Sequence, residues 1–66
     1  MEIVLNGNSI TCENNTCLTD LLVANHLEKP GIAVALNQSV VQKNDWTTTI
    51  LNEKDEILII TATQGG

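Results

Sequence analysis

The chain opens with a short apolar run over Glu2–Leu5 and continues, after Asn6-Gly7, into a segment over Ser9–Cys12 in which polar and apolar residues alternate. The segments Glu2–Leu5 and Ser9–Cys12 predict a β-hairpin, because Asn and Gly both tolerate the positive φ of a two-residue turn. Alternation also predicts that one face of this hairpin is buried. The residues predicted on that face are Ile3, Leu5, Ile10 and Cys12.

The next segment has helical spacing. Thr16 or Cys17 can provide the N-cap, since both carry a short side chain at the start of the apolar pattern. The helix must end by Lys29, because Pro30 disfavours a helical conformation in the residue before it. One stripe of the helix is predicted to face the core. It comprises Leu18, Leu21, Leu22 and Asn25.

The remainder of the chain predicts three more strands. These are Ile32–Leu36, Ser39–Gln42 and Glu56–Ile60. A single helical turn over Lys43–Trp46 and a brief edge segment over Thr47–Leu51 separate the last two of them. The continuous apolar run of the final strand predicts a fully buried strand in the centre of the sheet, beside the first strand.

The predicted element order is β-β-α-β-β-β, in which a single helix covers one face of a sheet. This order predicts an α+β protein of the β-grasp (ubiquitin-like) class, with a mixed sheet of four to five strands. Residues 1–60 would form one domain, and residues 61–66 would form a flexible C-terminal tail.

Composition narrows the class of protein further. The chain has 66 residues, a net charge of −5 and 42% hydrophobic residues. An acidic chain with three basic residues lacks the clustered cations that nucleic-acid binding needs. No apolar run approaches the length of a membrane span, and the N-terminus lacks the basic region of a signal peptide. We therefore expect a cytoplasmic domain that binds neither nucleic acid nor a membrane.

The chain offers few candidates for catalysis or metal binding. Cys12 and Cys17 are not spaced as a zinc site, and we expect both to be reduced thiols. His26 is expected to be solvated or to cap the helix, and Trp46 to cover the core. Three carboxylates do not form a convincing acid–base pair: Asp45, Asp55 and Glu56. The prediction is no catalytic residue and no metal site.

The chain end is the most informative segment. Gly65-Gly66 would form a slender strand without side chains, which can pass through a narrow tunnel in a partner. Its one reactive group would be the α-carboxylate of Gly66, which is ionised at neutral pH. Adenylation would convert this inert carboxylate into an electrophile that a sulfur nucleophile could attack. Gly66 is thus the candidate for modification, and Gly65 and Gln64 are candidates for threading.

A docking surface is predicted on the uncovered face of the sheet. Leu58, Ile60 and Ala62 share one parity of the last strand, and Ala33 and Ala35 point outward from the third strand. Because one helix covers only one face, these residues would form an apolar patch available to a partner. The alternative is that loops cover this face.

The ordered set of these features resembles the ThiS family, the sulfur carriers of thiamin thiazole biosynthesis. The resemblance covers essentially the whole chain. The matching features are Asn6 in the first turn, the helix opening over Thr16–Leu22, the strand Val34–Asn37, Val40-Val41, Trp46, Asp55 leading into Ile57-Leu58, and the terminal Gly65-Gly66.

The sequence departs from the family pattern at four positions. Cys17 stands where a capping Thr or Ser is expected, which would shift the cap to Thr16. Lys54 replaces the usual Gly before Asp55, so this loop is expected to hold an unusual backbone. Lys43 replaces Arg, and Gln64 is bulkier than the expected small residue.

The resemblance implies a co-substrate protein and not an enzyme. An E1-like adenylating enzyme (ThiF-type) would use ATP and magnesium to adenylate Gly66, while the carrier itself would bind no cofactor. A persulfide donor would supply the sulfur, and thiazole synthase (ThiG-type) would accept it from the Gly66 thiocarboxylate.

Three other functions stay open at this point. The chain could be the sulfur carrier subunit of molybdopterin synthase, which shares the fold and the chain end but is usually longer. It could be a non-covalent ubiquitin-like interaction module in which Gly65-Gly66 is incidental. It could also be a thiol enzyme that uses Cys12 or Cys17.

Overall fold

The computed structural model describes residues 1–61, which form one mixed five-stranded sheet and one α-helix. The elements are β1 (Glu2–Leu5), β2 (Asn8–Thr11), α1 (Leu18–Ala24), β3 (Ile32–Leu36), β4 (Ser39–Val41), a 3₁₀ turn (Lys43–Asp45) and β5 (Glu56–Thr61). The spatial order of the strands is β2-β1-β5-β3-β4. The predicted fold class is confirmed, and β5 lies in the centre beside β1 as predicted.

Two tight turns set the register of the outer hairpins. Asn6 and Gly7 have φ values of 50° and 85°, and Asn37 and Gln38 have values of 50° and 74°. Positive φ at both central residues matches the right-handed twist of the flanking strands. The first turn pairs β1 with β2 and the second pairs β3 with β4, both antiparallel. β5 then joins the two hairpins, parallel to β1 and antiparallel to β3.

The core lies between the sheet and α1. The helix contributes Leu18, Leu21 and Leu22 from one stripe, as the helical spacing predicted. The inward-facing positions of the strands and two loop residues complete a single cluster. These residues are Ile3, Leu5, Val34, Trp46, Leu51 and Ile57, with Ile10 and Cys12 partly buried against them.

The prediction that β5 is fully buried was wrong. Ile57 is 2% exposed, but Leu58 is 51% and Ile60 is 48% exposed. The physical reason is the single helix: α1 covers only the inner face, so alternate residues of even the central strand reach solvent. β5 also continues to Thr61, which pairs with Ile32, one residue past the predicted domain boundary.

The helix begins at a cysteine cap. The Sγ atom of Cys17 accepts a hydrogen bond from the backbone N–H of Asp20 at 3.4 Å. Thr16 instead donates its hydroxyl to the Glu13 carbonyl at 2.6 Å. The expected shift of the cap to Thr16 was therefore wrong, and the weakly accepting thiol takes the place of a hydroxyl.

The helix ends in a Schellman motif without glycine. The N–H groups of His26 and Leu27 donate to the carbonyls of Val23 and Leu22, which is the bond pattern of that motif. His26 takes the left-handed position, with φ of 58°. Asn25 was predicted to face the core, but it is exposed, and its side-chain amide donates to the Leu21 carbonyl at 2.9 Å.

We expect His26→Gly to stabilise the domain by about 1 kcal/mol, because glycine adopts a left-handed conformation without the steric cost that a Cβ imposes. Urea unfolding followed by circular dichroism would measure this gain as a higher midpoint. Ala24→Gly, two residues earlier and inside the helix, is the matched control and should lower stability by roughly 0.5–1 kcal/mol. A lower midpoint for His26→Gly would contradict the assignment of strain to this position.

The segment between β4 and β5 was predicted in part. The helical turn is present over Lys43–Asp45, and Trp46 is 4% exposed with its indole N–H donating to the Val41 carbonyl at 2.9 Å. The predicted edge segment over Thr47–Leu51 does not form a strand. Only Ile50 makes an isolated bridge, to Cys17. The segment instead supplies Leu51, 2% exposed, to the core.

A buried carboxylate ties the start of β5 to the β3–β4 turn. Asp55 is 8% exposed, and its two oxygens accept from the Asn37 side-chain amide at 3.0 Å and from the Asn52 N–H at 2.7 Å. The Asn37 side-chain oxygen in turn accepts from the Glu56 N–H at 2.9 Å. Each polar atom of this network is thus used once, so the turn and the strand are held in a fixed relation.

Asp55→Asn is expected to destabilise the domain by about 2 kcal/mol, because an amide has only one acceptor for two buried donors and its NH₂ group would face another donor. The midpoint of urea unfolding would report the loss, with an unchanged m-value. The control is Asp45→Asn, an exposed carboxyl to which no described side chain donates a hydrogen bond, and it should leave the midpoint nearly unchanged. Equal midpoints for the two variants would refute the proposed role of the network.

The loop before β5 has the unusual backbone expected at Lys54, whose φ is 70°. Its ammonium group contacts Glu2 at 2.8 Å. The Lys54 ammonium holds the pKa of the Glu2 carboxyl below its usual value by hydrogen bonding and charge, and Glu2 raises the pKa of Lys54 in return. Both side chains are exposed, so the pair adds little to stability.

Candidate docking face

The outer face of the sheet carries the apolar patch that the sequence predicted. The strand register places Ala35 beside Leu58 and Ala33 beside Ile60. Four of the five predicted docking residues are therefore brought together, on the face opposite α1. Ala62, the fifth, lies outside the described residues.

Sequence reasoning missed a further member of this patch. Val40 is 72% exposed and pairs with Ala35 across the β3–β4 hairpin. The signal was present in the two-residue turn Asn37-Gln38, because that loop length fixes which residues oppose each other. We define the outer patch as Ala33, Ala35, Val40, Leu58 and Ile60.

Small residues make the outer patch shallow. Alanine occupies both outward positions of β3, between the longer side chains of β4 and β5. The side chains of Leu58, Ile60 and Val40 thus surround the two alanines, which form the shallow centre of the outer patch. No described loop covers them, so the alternative that loops close this face is not met within residues 1–61. An exposed apolar patch of this kind is typical of a protein-binding surface.

A small cavity of about 190 Å³ lies at one end of the outer patch. It is at the end of the sheet where β5 begins, between the two tight turns. The lining residues are Val4, Gly7, Ala35, Gln38, Glu56, Ile57 and Leu58. Its walls are mostly apolar, and Glu56 is the only charged residue among them.

Two asparagines hold β5 in line from both sides. The Asn6 side-chain oxygen accepts from the Ile59 N–H at 2.8 Å, at a point where β1 has already turned into its hairpin. The Asn37 N–H donates to the Glu56 carbonyl at 2.8 Å on the other side. The strand that presents Leu58 and leads toward the chain end is therefore fixed by side chains as well as by its neighbours.

The residues predicted for modification and for threading follow β5 in the sequence. Gln64, Gly65 and Gly66 are outside the described residues, as is Thr63. Thr61, the last described residue, continues β5 from Leu58 and Ile60. Two of the five residues of the outer patch, Leu58 and Ile60, thus lie on the last strand before the chain end.

The thiols occupy structural positions. Cys12 and Cys17 are both free and partly buried. Cys17 serves as the helix cap, and Cys12 packs against the core. Over residues 1–61, no group of three or more His, Cys, Asp or Glu side chains is placed to hold a metal ion.

The sheet order and its single crossing helix define a β-grasp protein of the ubiquitin-like class. The family model of the ThiS family matches residues 3–66, and the chain belongs to that family. The chain is 29% identical to the protein named sulfur carrier protein ThiS from Escherichia coli K12, over 100% of both chains.

The fold is also found in a solved structure. The thiamine biosynthesis protein ThiS from Geobacter metallireducens superposes with a TM-score of 0.88 over 100% of both chains, at 23% identity. Within the part of the chain that the structure describes, α1 is far too short to span a bilayer, and no other α-helix is present.

Proposed function

We propose that this protein is the sulfur carrier that supplies the thiazole ring of thiamin. Membership of the ThiS family supports this function, as does the name of the Escherichia coli relative, which matches from end to end. The observation that carries the proposal is that the outer patch includes Leu58 and Ile60 of β5, the last strand before Gly65-Gly66 in the sequence. A partner that binds the outer patch would therefore lie close enough to reach the chain end.

The proposed chemistry takes place at the α-carboxylate of Gly66. One carboxylate oxygen attacks the α-phosphate of ATP, pyrophosphate leaves, and an acyl-adenylate forms. The terminal sulfur of a protein persulfide then attacks the acyl carbon, and AMP leaves with the bridging oxygen, which gives an acyl disulfide. A thiol reductant attacks the donor's sulfur of this S–S bond, forms a disulfide with the donor and releases the carrier's sulfur. The product is a thiocarboxylate at Gly66, in which sulfur replaces one oxygen.

The carrier contributes no catalytic residue to these steps. An E1-like adenylating enzyme of the ThiF type binds ATP and magnesium, and a persulfide-bearing protein supplies the sulfur. Thiazole synthase of the ThiG type then accepts the sulfur. The carrier binds no cofactor of its own and works in the cytoplasm, where ATP is available.

The length of the chain end suits a partner that binds the folded domain at the outer patch while its active site holds the chain end extended. From Thr61 to Gly66 an extended chain spans about 17 Å, at roughly 3.3 Å for each residue. A partner that covers Leu58 and Ile60 can therefore place its active site well away from the outer patch. The acidic net charge of −5 would speed the encounter with a basic partner surface.

The loading assay tests this function directly. The full chain is incubated with ATP, magnesium, the adenylating enzyme, a persulfide donor and a thiol reductant, and its mass is measured. The expected result is a shift equal to the exchange of one oxygen for sulfur, located by fragmentation at Gly66. An unmodified chain under conditions that load a known carrier would overturn the proposal.

The thiazole pathway is separated from the molybdopterin pathway by the acceptor. The loaded carrier should be retained by thiazole synthase and should lose its sulfur to it. Retention by the large subunit of molybdopterin synthase, with no transfer to thiazole synthase, would instead identify the other carrier class.

A further inference from the structure

The cavity beside the outer patch has a shape and a charge that the apolar docking surface does not explain. It opens between Gly7 of the first turn and Gln38 of the second, and its floor is formed by apolar residues of three neighbouring strands. A volume of about 190 Å³ accommodates one long side chain but not a folded segment. The cavity is therefore suited to a single anchoring residue of a partner.

Glu56 supplies a charge at this cavity that nothing in the described chain neutralises. It is exposed, and it shares the outward parity of Leu58 and Ile60. The one ion pair among residues 1–61 joins Lys54 to Glu2. No described side chain donates a hydrogen bond to the Glu56 carboxylate, whose residue is tied to Asn37 only through its backbone.

From this arrangement we propose that the cavity receives an arginine side chain of a protein partner. The aliphatic stem would lie against Val4, Ala35 and Leu58, and the guanidinium would meet the Glu56 carboxylate. Gln38 also lines the cavity, and its side-chain oxygen would be a second acceptor for the guanidinium. This inference deepens the proposed function, since it rests on the outer patch being the surface that partners bind.

Arginine fits these walls better than other residues. A purely apolar side chain would bury the Glu56 carboxylate without a partner, at a substantial free-energy cost. Lysine would satisfy the charge, but its compact ammonium is strongly hydrated and holds its water at an apolar surface. Guanidinium is planar and weakly hydrated, and its several N–H groups can bind a carboxylate and an amide oxygen together.

The test measures the affinity of the adenylating enzyme for carrier variants by calorimetry. Glu56→Gln keeps the size of the side chain and removes its charge, so the dissociation constant should rise about tenfold. The matched control is Glu28→Gln, an exposed carboxylate outside the outer patch, which should change affinity less than twofold. The salt dependence of binding should also be weaker for Glu56→Gln than for the unchanged protein.

A second variant tests the cavity without altering charge. Ala35→Leu fills the cavity while adding apolar surface to the outer patch. If the cavity receives a side chain, this variant should weaken binding about tenfold, whereas a partner that merely covers the patch would bind it equally or more tightly. Circular dichroism and the urea midpoint confirm that each variant is folded.

The outcomes distinguish this inference from the docking proposal itself. If Leu58→Asp abolishes binding but Glu56→Gln and Ala35→Leu do not weaken it, the outer patch is the docking surface and the cavity inference is wrong. If Leu58→Asp also binds normally, the docking proposal fails. Loss of the Glu56→Gln effect after the partner's lysines are acetylated, but not after its arginines are blocked with phenylglyoxal, would overturn the assignment to arginine.

Discussion

Deletion of Gly66 is expected to abolish sulfur loading. The shortened chain still ends in a carboxylate, at Gly65, but this group falls about 3.3 Å short of the position that the adenylating enzyme reserves for the acyl carbon. Displacements of about 1 Å can already cost 100-fold in rate when a reaction depends on alignment. The chain should show no mass shift in the loading assay, even after long incubation.

The control for this deletion is the replacement of each of the two cysteines. Cys12→Ser and Cys17→Ser should both load sulfur at the normal rate, because the cysteines cap the helix and pack against the core. Serine at position 17 is moreover a good helix cap. If the serine variants lose sulfur transfer while the shortened chain retains it, the protein is a thiol enzyme and the carrier proposal is wrong.

Leu58→Asp should weaken binding to both the adenylating enzyme and thiazole synthase by about 100-fold. Leu58 belongs to the outer patch and lies on β5, the central strand of the sheet between β1 and β3, where it is 51% exposed. A carboxylate at this position would have to be desolvated against an apolar partner surface, and an apolar contact would be lost. Each effect costs on the order of 1 kcal/mol or more of binding free energy. Calorimetric titration of each purified partner gives the dissociation constants.

Val23→Asp is a closely matched control for this substitution. Val23 is also 51% exposed, but it lies on α1, on the opposite side of the molecule from the outer patch. The change in charge is the same, so any general effect of added negative charge appears in both variants. Equal losses of affinity for Val23→Asp and Leu58→Asp would mean that the outer patch is not the binding surface.

Much of the fold could be predicted because short-range signals agreed with one another. Asn6-Gly7 fixed the first hairpin, and helical spacing placed three leucines of α1 on the core. Pro30 and Gly31 separated the helix from β3, whose bounds matched the prediction. Each of these signals acts within a few residues, so no knowledge of the tertiary structure was needed.

The errors arose where a residue's environment depends on distant elements. The apolar run of β5 suggests burial on both faces, yet within residues 1–61 the one α-helix, α1, covers a single face of the sheet. The segment around Ile50 has strand-like composition, but it makes a single bridge, to Cys17, because its neighbours hydrogen-bond with the chain at the start of α1 and not with a strand. Asn25 follows the helical stripe but ends the helix instead.

The candidate docking face could be predicted only where the alternation of inward and outward residues along one strand was sufficient to place a side chain. Alternation placed Leu58 and Ile60 with the two alanines of β3. Val40 follows from the register that the Asn37-Gln38 turn imposes between β3 and β4. Glu56 shares the parity of Leu58 and Ile60, but its place at the cavity depends on the turns beside it. The cavity could not be predicted from the sequence, because it lies between two turns that are remote from each other along the chain.

The position of β5 between two hydrogen-bonded neighbours has a mechanical consequence. If a partner enzyme draws the chain end into a tunnel, as the proposed function requires, the pull would act on β5 from its C-terminal end. Force along the strand axis would load the hydrogen bonds to β1 and β3, and the Asn6 bond to Ile59, in shear, so that many bonds would share the force instead of opening one after another. We therefore expect the folded domain to stay intact while its chain end is pulled.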